Sequence, residues 1–371
     1  MRPEPVIIGC VAETSLGDLD HTWQRLLTGS SGLRPWGGDG PLAHYPVGKI
    51  SGLDSAPGSS NRLRQLLAQA WSSVSPDLIP RDGLHTIIAT TKAAVDELLE
   101  EGDHMTGHPL KLGDLFQGIT GTQGHVGIVS AACASGTIAL IKAAAHIAGG
   151  GSEPVLVVGI DILSRFVLAG FAGLQALSSD GCRPFDQMRN GLSLGEGVAI
   201  MVVSSREWAE RHAVAIKAVI DGWGISCDSV HITAPCRHGS GLRRVLDLAL
   251  GENKNRVGAI NAHGTGTDYN DAMELTAFTS FWQTDPPPIH SIKGAVGHCL
   301  GGAGLIEAAI AVQSLRQEII PPTVGCQQPE NCKIPISNRP QPLTLPTVFS
   351  CNSGFGGINA GVLLKNPQYR E

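Results

Sequence analysis

The stretch GIVSAACASGTIALIKAAAHIAGG, residues 127–150, indicates both the fold class and a reactive site. Its first part, 127–132, is a short apolar run, which predicts a strand. The remainder, 133–150, places apolar residues at helical spacing and ends in paired glycines, which predicts a helix. A strand that turns directly into a helix is the repeating unit of α/β proteins.

The same alternation of strand and helix recurs on both sides of this stretch. Predicted strands lie at 5–9, 84–91, 154–161, 197–205, 215–226 and 257–264. Predicted helices lie at 22–29, 92–101, 242–250 and 304–315, and 347–365 predicts two strands around a Gly-rich turn. The pattern predicts an α/β fold with a mainly parallel sheet. A division near residue 205 predicts two halves, 1–205 and 206–371.

Composition narrows the functional class. The 371 residues are 42% hydrophobic and 16% charged, which is typical of a folded chain of about two domains. The net charge of −6 and the lack of a basic run disfavour nucleic acid as a partner. No apolar run is long enough to predict a membrane span. Nine scattered cysteines without C-x-x-C disfavour a disulfide framework or a Cys-rich zinc site, so we expect a cytoplasmic protein.

Cys133 stands at the predicted turn between strand and helix, among small residues that leave room for a substrate. A helix N-terminus favours the thiolate, so this position predicts a cysteine with a lowered pKa and a nucleophilic role. The alternative is a buried structural cysteine, which is a common fate of a free thiol.

Three later segments also carry reactive side chains. His263 follows a predicted strand and precedes a Gly-Thr run, whereas Lys293 and His298 flank a glycine turn before a helix that contains Glu307. Near the C-terminus, glycines surround Phe355, and such a turn can offer free N–H groups to an oxyanion. Taken singly, each segment has an ordinary alternative: a loop histidine, a solvated lysine or a tight hairpin.

In their order, these segments resemble the β-ketoacyl-acyl carrier protein synthases, in particular the elongating type with a Cys-His-His triad. The motifs that carry the resemblance are ACASG at 132–136, NAHGT-x-T-x-x-ND at 261–271, Lys-x-x-x-Gly-His followed by a Glu at 293–307, the Gly-rich turn at 352–359, and blocks at 182–197 and 231–235. The resemblance implies a thiolase-like α/β fold, with two pseudo-symmetric halves in αβαβα layers. The nucleophile lies in the first half, and the histidine pair and the Gly-rich loop lie in the second.

The resemblance also implies a decarboxylative Claisen condensation. Cys133 would carry an acyl group, His263 and His298 would hold malonyl-acyl carrier protein, and Lys293 paired with Glu307 would orient them. The N–H groups of Cys133 and Phe355 would form an oxyanion hole. Thr265, Thr267 and Thr233 would bind the pantetheine arm. Phe171 and Leu192 would form part of the wall of the acyl pocket. No metal and no cofactor is implied, because the carrier protein brings the phosphopantetheine.

The implied partners are an acyl carrier protein and a second subunit, in a homodimer or a heterodimer. We expect an acidic carrier protein to dock on a basic patch, for which Arg62, Arg64 and Lys111 are candidates. Residues 87–98 are similar to the aryl polyene subgroup of the family.

The chain also departs from the family pattern. It is shorter than usual, and Ser353 and Leu192 replace residues that are often aromatic, which puts the acyl-chain preference in doubt. A chain-length-factor-like partner with little activity of its own is the main alternative, although such partners lack the nucleophile that Cys133 supplies here. A thiolase using Cys351 as its base is disfavoured by the two-histidine pattern, and a chalcone synthase relative is disfavoured by His298.

Overall fold

The computed structural model describes residues 3–79, 83–99 and 107–369. Its strands are β1 (Pro5–Thr14), β2 (Gly17–Asp18), β3 (Leu33–Pro35), β4 (Pro46–Gly48), β5 (His85–Ala89), β6 (Val126–Val129), β7 (Val155–Asp161), β8 (Gly197–Ser205), β9 (Ala218–Cys227), β10 (Val257–Asn261), β11 (Ile289–His290), β12 (Ile319–Ile320), β13 (Gln341–Pro342), β14 (Thr347–Gly354) and β15 (Ile358–Lys365).

The α-helices are α1 (Leu19–Leu27), α2 (Ser60–Ser72), α3 (Val95–Leu98), α4 (Leu112–Thr120), α5 (Ser135–Ala148), α6 (Arg165–Gly173), α7 (Arg206–Arg211), α8 (Ser240–Leu250), α9 (Asp268–Trp282), α10 (Lys293–Val296) and α11 (Leu300–Gln317). Short 3₁₀ helices span Pro76–Leu78, Pro109–Lys111 and Gly251–Arg256. The helix predicted at 92–101 is shorter in the structure, and the end of that range lies outside the described residues. None of the described helices has the length and apolar character that a bilayer crossing requires.

Strand order shows that the two halves repeat one topology. The first half runs β1-β8-β7-β5-β6 and the second runs β9-β15-β14-β10-β11, and β1 and β9 join them into one sheet. Equivalent pairs have equivalent directions, since β5 and β10 each have two parallel neighbours, and β8 and β15 each have two antiparallel neighbours. The pseudo-symmetry expected from the sequence is therefore confirmed. The division predicted near residue 205 falls between β8 and β9.

The prediction of a mainly parallel sheet is wrong. The pairs β1–β8, β7–β8, β9–β15 and β14–β15 are antiparallel, as is the junction of β1 with β9. Hydrophobic periodicity identifies a strand but carries no information about its direction, because a buried strand of either direction is a continuous apolar run. Among the strands that the structure describes, only the outer ones of each half form the parallel pairs that an alternation of strands and helices suggests.

The helices complete five layers. Helices α5 and α11 lie between the half-sheets, with α2 and α4 on one outer face and α8 and α9 on the other. The central helices are rich in glycine and alanine because they cross closely. A Cβ atom on Gly136 of α5 would lie 2.7 Å from the backbone nitrogen of Leu305 in α11. The predicted αβαβα layering is thus confirmed, and it brings the ends of several strands together around α5 and α11.

Candidate active site

Cys133 lies on the elbow between β6 and α5. The preceding residue, Ala132, has a φ of 48°, a left-handed conformation that a side chain makes costly and that is often retained at functional turns. The Gly-rich turn after β14 packs directly on this elbow. A Cβ atom on Gly354 would lie 3.2 Å from the backbone nitrogen of Cys133, so glycine allows the close approach that places Phe355 beside the nucleophile.

The environment of Cys133 corrects one expectation from the sequence. The residue is only 8% exposed, and burial raises the pKa of its thiol to about 12, although the Lys293 ammonium acts in the opposite direction. The predicted lowering of this pKa by the helix N-terminus is therefore wrong in the free protein. Desolvation is the largest influence on this pKa, and it disfavours the thiolate more strongly than the Lys293 charge favours it. The resting group is a protonated thiol.

The two predicted histidines converge on this thiol. His263 follows the end of β10, and His298 follows the short helix α10. The Cys133 sulfur and one ring nitrogen from each histidine all lie within 4.8 Å of one another. The two rings meet edge to face with centroids 5.2 Å apart. Residues separated by more than a hundred positions in sequence thus form one cluster, as the resemblance implies.

The tautomer of His298 follows from its backbone contact. The N–H of Leu300 donates a hydrogen bond to Nδ1 of His298 at 3.3 Å, so Nδ1 is an acceptor and Nε2 carries the proton. Among the described residues, the buried Nε2 has no hydrogen-bond partner. It is therefore a free donor on a ring that lines the cavity beside Cys133.

His263 also carries its proton on Nε2, but different contacts hold it in that tautomer. The side-chain amide of Asn352 lies 3.1 Å from Nδ1 of His263, and the Lys293 ammonium lies 3.3 Å from it. Both neighbours are donors, so Nδ1 accepts and Nε2 again carries the proton. Burial and the nearby Lys293 charge hold the pKa of both His263 and His298 well below the usual value. Both rings are therefore neutral donors near neutral pH.

Lys293 and Glu307 form the ion pair that the family resemblance implies. Their side chains are almost completely buried, and Nζ lies 2.5 Å from a carboxylate oxygen of Glu307. The ammonium also donates to the carbonyl oxygen of His263. The second carboxylate oxygen of Glu307 accepts from the amide of Asn352 at 2.7 Å. The pair lies behind His263 and holds it, while neither residue lines the cavity.

Two further carboxylates hold the His263 loop, and no role was predicted for either. Glu274 accepts from the backbone N–H groups of His263 and Gly264, each at 2.7 Å. Asp271 accepts from the N–H groups of Thr265 and Gly266. Both carboxylates belong to α9 and are buried, and burial raises the pKa of Glu274 to about 8. Their spacing of three residues on a helix was the signal that could have identified them.

A cavity of about 590 Å³ joins the reactive cluster to the surface. Its lining includes all the predicted substrate-contacting residues, namely Cys133, Phe171, Leu192, Thr233, His263, Thr265, Thr267, His298 and Phe355. Within it, the hydroxyls of Thr265 and Thr267 lie 2.9 Å apart, and the rings of Phe171 and Phe355 stack with centroids 5.7 Å apart. The structure thus brings these side chains to one cavity, and their individual roles remain predictions.

The cluster also has the composition of a metal site. A thiolate and two imidazoles are suitable ligands for zinc. Here, however, the Lys293 ammonium lies 3.3 Å from the ring of His263 and would repel a divalent cation. The three groups fit an acyl-transfer site better than a metal site.

The prediction that Arg62 docks the carrier protein is wrong. Arg62 is completely buried and donates to both carboxylate oxygens of Glu196, so it cannot meet a partner protein. It also donates to the carbonyl oxygens of Ile50 and Ser55, which makes it a structural residue beneath α2. Arg64 is exposed, and Lys111 forms a surface ion pair with Asp114. A sequence without tertiary contacts does not distinguish these arginines.

Models of two β-ketoacyl synthase domains match this chain. The β-ketoacyl synthase N-terminal domain matches residues 119–209, and the β-ketoacyl synthase C-terminal domain matches residues 217–327. Nodulation protein E of Rhizobium meliloti is 35% identical over 252 residues, which cover 66% of this chain and 63% of that protein. The aligned part of the chain therefore spans less than two thirds of this relative.

Two further matches extend over more of the chain. The 3-oxoacyl-[acyl-carrier-protein] synthase 2 of Staphylococcus aureus is 31% identical over 296 residues, covering 74% of this chain and 73% of that protein. The structure of the ishigamide ketosynthase/chain length factor superposes with a TM-score of 0.85 and 26% identity, covering 98% of this chain and 99% of that one. The thiolase-like fold is confirmed, and the chain belongs to the β-ketoacyl synthase family.

Proposed function

We propose that this chain catalyses the decarboxylative Claisen condensation of an acyl group on Cys133 with malonyl-acyl carrier protein. The observation that carries the proposal is the state of the two histidines. Each Nδ1 accepts a hydrogen bond, so each ring is a neutral Nε2–H donor, and one nitrogen of each ring lies within 4.8 Å of the Cys133 sulfur. Neutral donors in a desolvated site stabilise a developing oxyanion without holding the anionic substrate too tightly.

The first step is a thioester exchange. The Cys133 sulfur attacks the carbonyl carbon of an acyl-acyl carrier protein, the bond from that carbon to the pantetheine sulfur breaks, and the proton of the thiol leaves with the pantetheine thiol. The N–H groups of Cys133 and Phe355 would hold the oxyanion, which the packing of Gly354 on the elbow supports. Because the resting thiol is protonated, its proton must leave as the sulfur attacks. That proton ends on the departing pantetheine sulfur, so the completed exchange leaves no net charge in the buried site.

The second step uses the histidine pair. The bond between the malonyl carboxylate and the α-carbon breaks, CO₂ leaves, and the electron pair becomes an enolate whose oxygen accepts from Nε2 of His263 and of His298. The enolate carbon then attacks the acyl carbonyl on Cys133. The carbon–sulfur bond breaks, the Cys133 thiolate takes up one proton, and β-ketoacyl-acyl carrier protein is released. Lys293 and Glu307 position His263 and do not contact the reacting atoms.

The proposal includes partners. We infer an acyl carrier protein as the carrier of both substrates, with Thr233, Thr265 and Thr267 along its pantetheine arm and Phe171 and Leu192 against the acyl chain. A dimer, with a second copy or a homologue, is supported by β6, which has β5 as its only partner among the described strands and so has one edge unpaired by them. A cytoplasmic location, the absence of a resident cofactor or metal, and aryl polyene synthesis remain predictions.

A chain-length-factor-like role is the second candidate, because one structural relative is described as a ketosynthase/chain length factor. The intact cluster of Cys133, His263 and His298 favours the catalytic role. Incubation with acyl- and malonyl-acyl carrier protein should release one CO₂ per β-ketoacyl product. A thiolase would give product from acetyl thioesters without CO₂. A subunit without its own activity would give neither product nor CO₂ when assayed alone, and that result would contradict the proposal if adding a homologous subunit left Cys133 unacylated.

A further inference from the structure

One arginine at the mouth of the cavity, Arg237, has no role in the proposed mechanism. Arg237 lines the cavity, is exposed, and makes no hydrogen bond or ion pair with any described residue. The carboxylate in the lining belongs to Asp268, which lies 3.7 Å from Arg189. Among the described lining residues, Arg237 is therefore the one permanent cation, and no described carboxylate oxygen lies within 4.0 Å of its guanidinium.

A second donor lies in the same segment. His231 also lines the cavity, and its Nδ1 accepts from the backbone N–H groups of Thr233 and Ala234, both at 3.1 Å. Its Nε2 therefore carries the proton and is available as a donor. The segment 231–237 thus presents a guanidinium and an imidazole N–H to the cavity, with the Thr233 hydroxyl also in the lining.

This segment is attached to the reactive centre. The N–H of Gly356, in the Gly-rich turn, donates to the carbonyl oxygen of Ile232 at 2.7 Å. At the other end, the N–H of Cys236 donates to the Asp228 carboxylate at 3.2 Å, and the N–H of Asp228 donates to the carbonyl oxygen of Gly357 at 2.9 Å. Both ends of the segment are therefore bonded to the turn that packs on the Cys133 elbow. The backbone that carries Arg237 is therefore held relative to the thiol.

We propose that Arg237, assisted by His231, forms a subsite for the phosphate of the pantetheine arm. The proposal rests on the proposed function, because that arm reacts through its sulfur at Cys133 and bears its one negative charge at the opposite end. The burial of the lining residues follows the same order: Cys133 is buried, Thr233 and Thr267 are half-buried, and Arg237 is exposed. A guanidinium suits a phosphate because its N–H groups match two phosphate oxygens.

The test compares two thioesters that differ only in the phosphate. Octanoyl-4′-phosphopantetheine and octanoyl-pantetheine are each incubated with the full chain, and acylation of Cys133 is followed by intact-protein mass. We expect the phosphorylated thioester to react about tenfold faster at subsaturating concentration, since one charge-assisted contact has roughly that effect. Arg237→Gln should remove this preference and leave the rate with octanoyl-pantetheine unchanged.

A matched control is Arg244→Gln, because Arg244 is exposed on α8 and lies outside the cavity lining. This variant should keep the wild-type preference. The inference is overturned if the wild type shows no phosphate preference, if Arg237→Gln retains it, or if Arg237→Gln slows both thioesters equally. It is also overturned if Arg237→Gln slows only octanoyl-acyl carrier protein, since the guanidinium would then contact the carrier protein surface. Failure of the proposed function has a different signature: no acylation of wild-type Cys133 by any of the three substrates.

Discussion

The side-chain amide of Asn352 donates to Nδ1 of His263 at 3.1 Å. The amide cannot be flipped, because its carbonyl oxygen accepts from the Thr137 hydroxyl while its nitrogen also donates to Glu307. Asn352 therefore determines which nitrogen of His263 carries the proton. A residue of β14 with no direct contact to substrate thus prepares the donor on which the proposed decarboxylation depends.

Replacing His298 should separate the two half-reactions. His298→Ala removes one Nε2–H donor, so we expect the release of CO₂ from malonyl-acyl carrier protein to fall by about 100-fold or more. Acylation of Cys133 should persist, because the elbow and the Gly-rich turn are unchanged. CO₂ release and intact-protein mass measure the two steps, with His238→Ala, outside the cavity lining, as the control. If His298→Ala slowed CO₂ release and acylation of Cys133 equally, His298 would not act in the decarboxylation alone.

Lys293 should be as important for stability as for activity. Lys293→Met leaves the buried Glu307 without its cation, and breaking a buried pair typically costs about 3–5 kcal/mol. We expect the free energy of unfolding in urea to fall by that amount. The double variant Lys293→Met/Glu307→Gln should recover much of the stability but not the activity. If the single and double variants were equally stable, the pair would not be an electrostatic unit.

Buried histidines should make the protein sensitive to acid. His290 is completely buried, its ring nitrogens have no partner among the described residues, and burial lowers its pKa to about 3. Below the unfolded-state pKa of about 6.5, the unfolded chain binds a proton that the native chain does not. The contribution of His290 is therefore fully present above about pH 6.5 and is lost as the pH falls toward about 3.

A variant at this position can measure that contribution. Between pH 6.5 and 5, the free energy of unfolding of the wild type should fall by about 2 kcal/mol more than that of His290→Leu, as determined by urea denaturation at each pH. His44→Leu, at an exposed position, should retain the wild-type dependence. Parallel curves for the wild type and His290→Leu would show that His290 does not resist protonation.

Two neighbouring arginines should behave very differently. Arg62 is buried against Glu196, whereas Arg64, on the same helix, is exposed. Arg62→Gln should lower the free energy of unfolding by about 3–5 kcal/mol, and Arg64→Gln should change it by less than about 0.5 kcal/mol. Urea denaturation measures both. If both variants changed the free energy of unfolding by a similarly small amount, Arg62 would not be a structural residue.

The sequence predicted the reactive residues because each lies in a short contiguous motif. Cys133, His263 and His298 could be recognised from their immediate neighbours. Strand and helix periodicity predicted the α/β class, whereas the layered fold was implied by the resemblance to the β-ketoacyl-acyl carrier protein synthases. Asn352 and Glu274 were missed as positioning residues, because their roles depend on contacts across the fold. The low pKa expected of Cys133 was wrong for the same reason: a helix N-terminus is visible in a sequence, but the burial that outweighs it is a property of the packed structure.

Acylation of Cys133 tests the proposed condensation at its first step. The full chain is incubated with octanoyl-acyl carrier protein, and the acylated residue is identified by intact mass and peptide mapping. We expect one octanoyl group on Cys133, discharged as a β-ketoacyl product when malonyl-acyl carrier protein is added, and no octanoyl group on Cys133→Ala. A Cys133→Ala variant that still elongates the acyl chain, or an acyl group found on a different residue, would show that Cys133 is not the nucleophile.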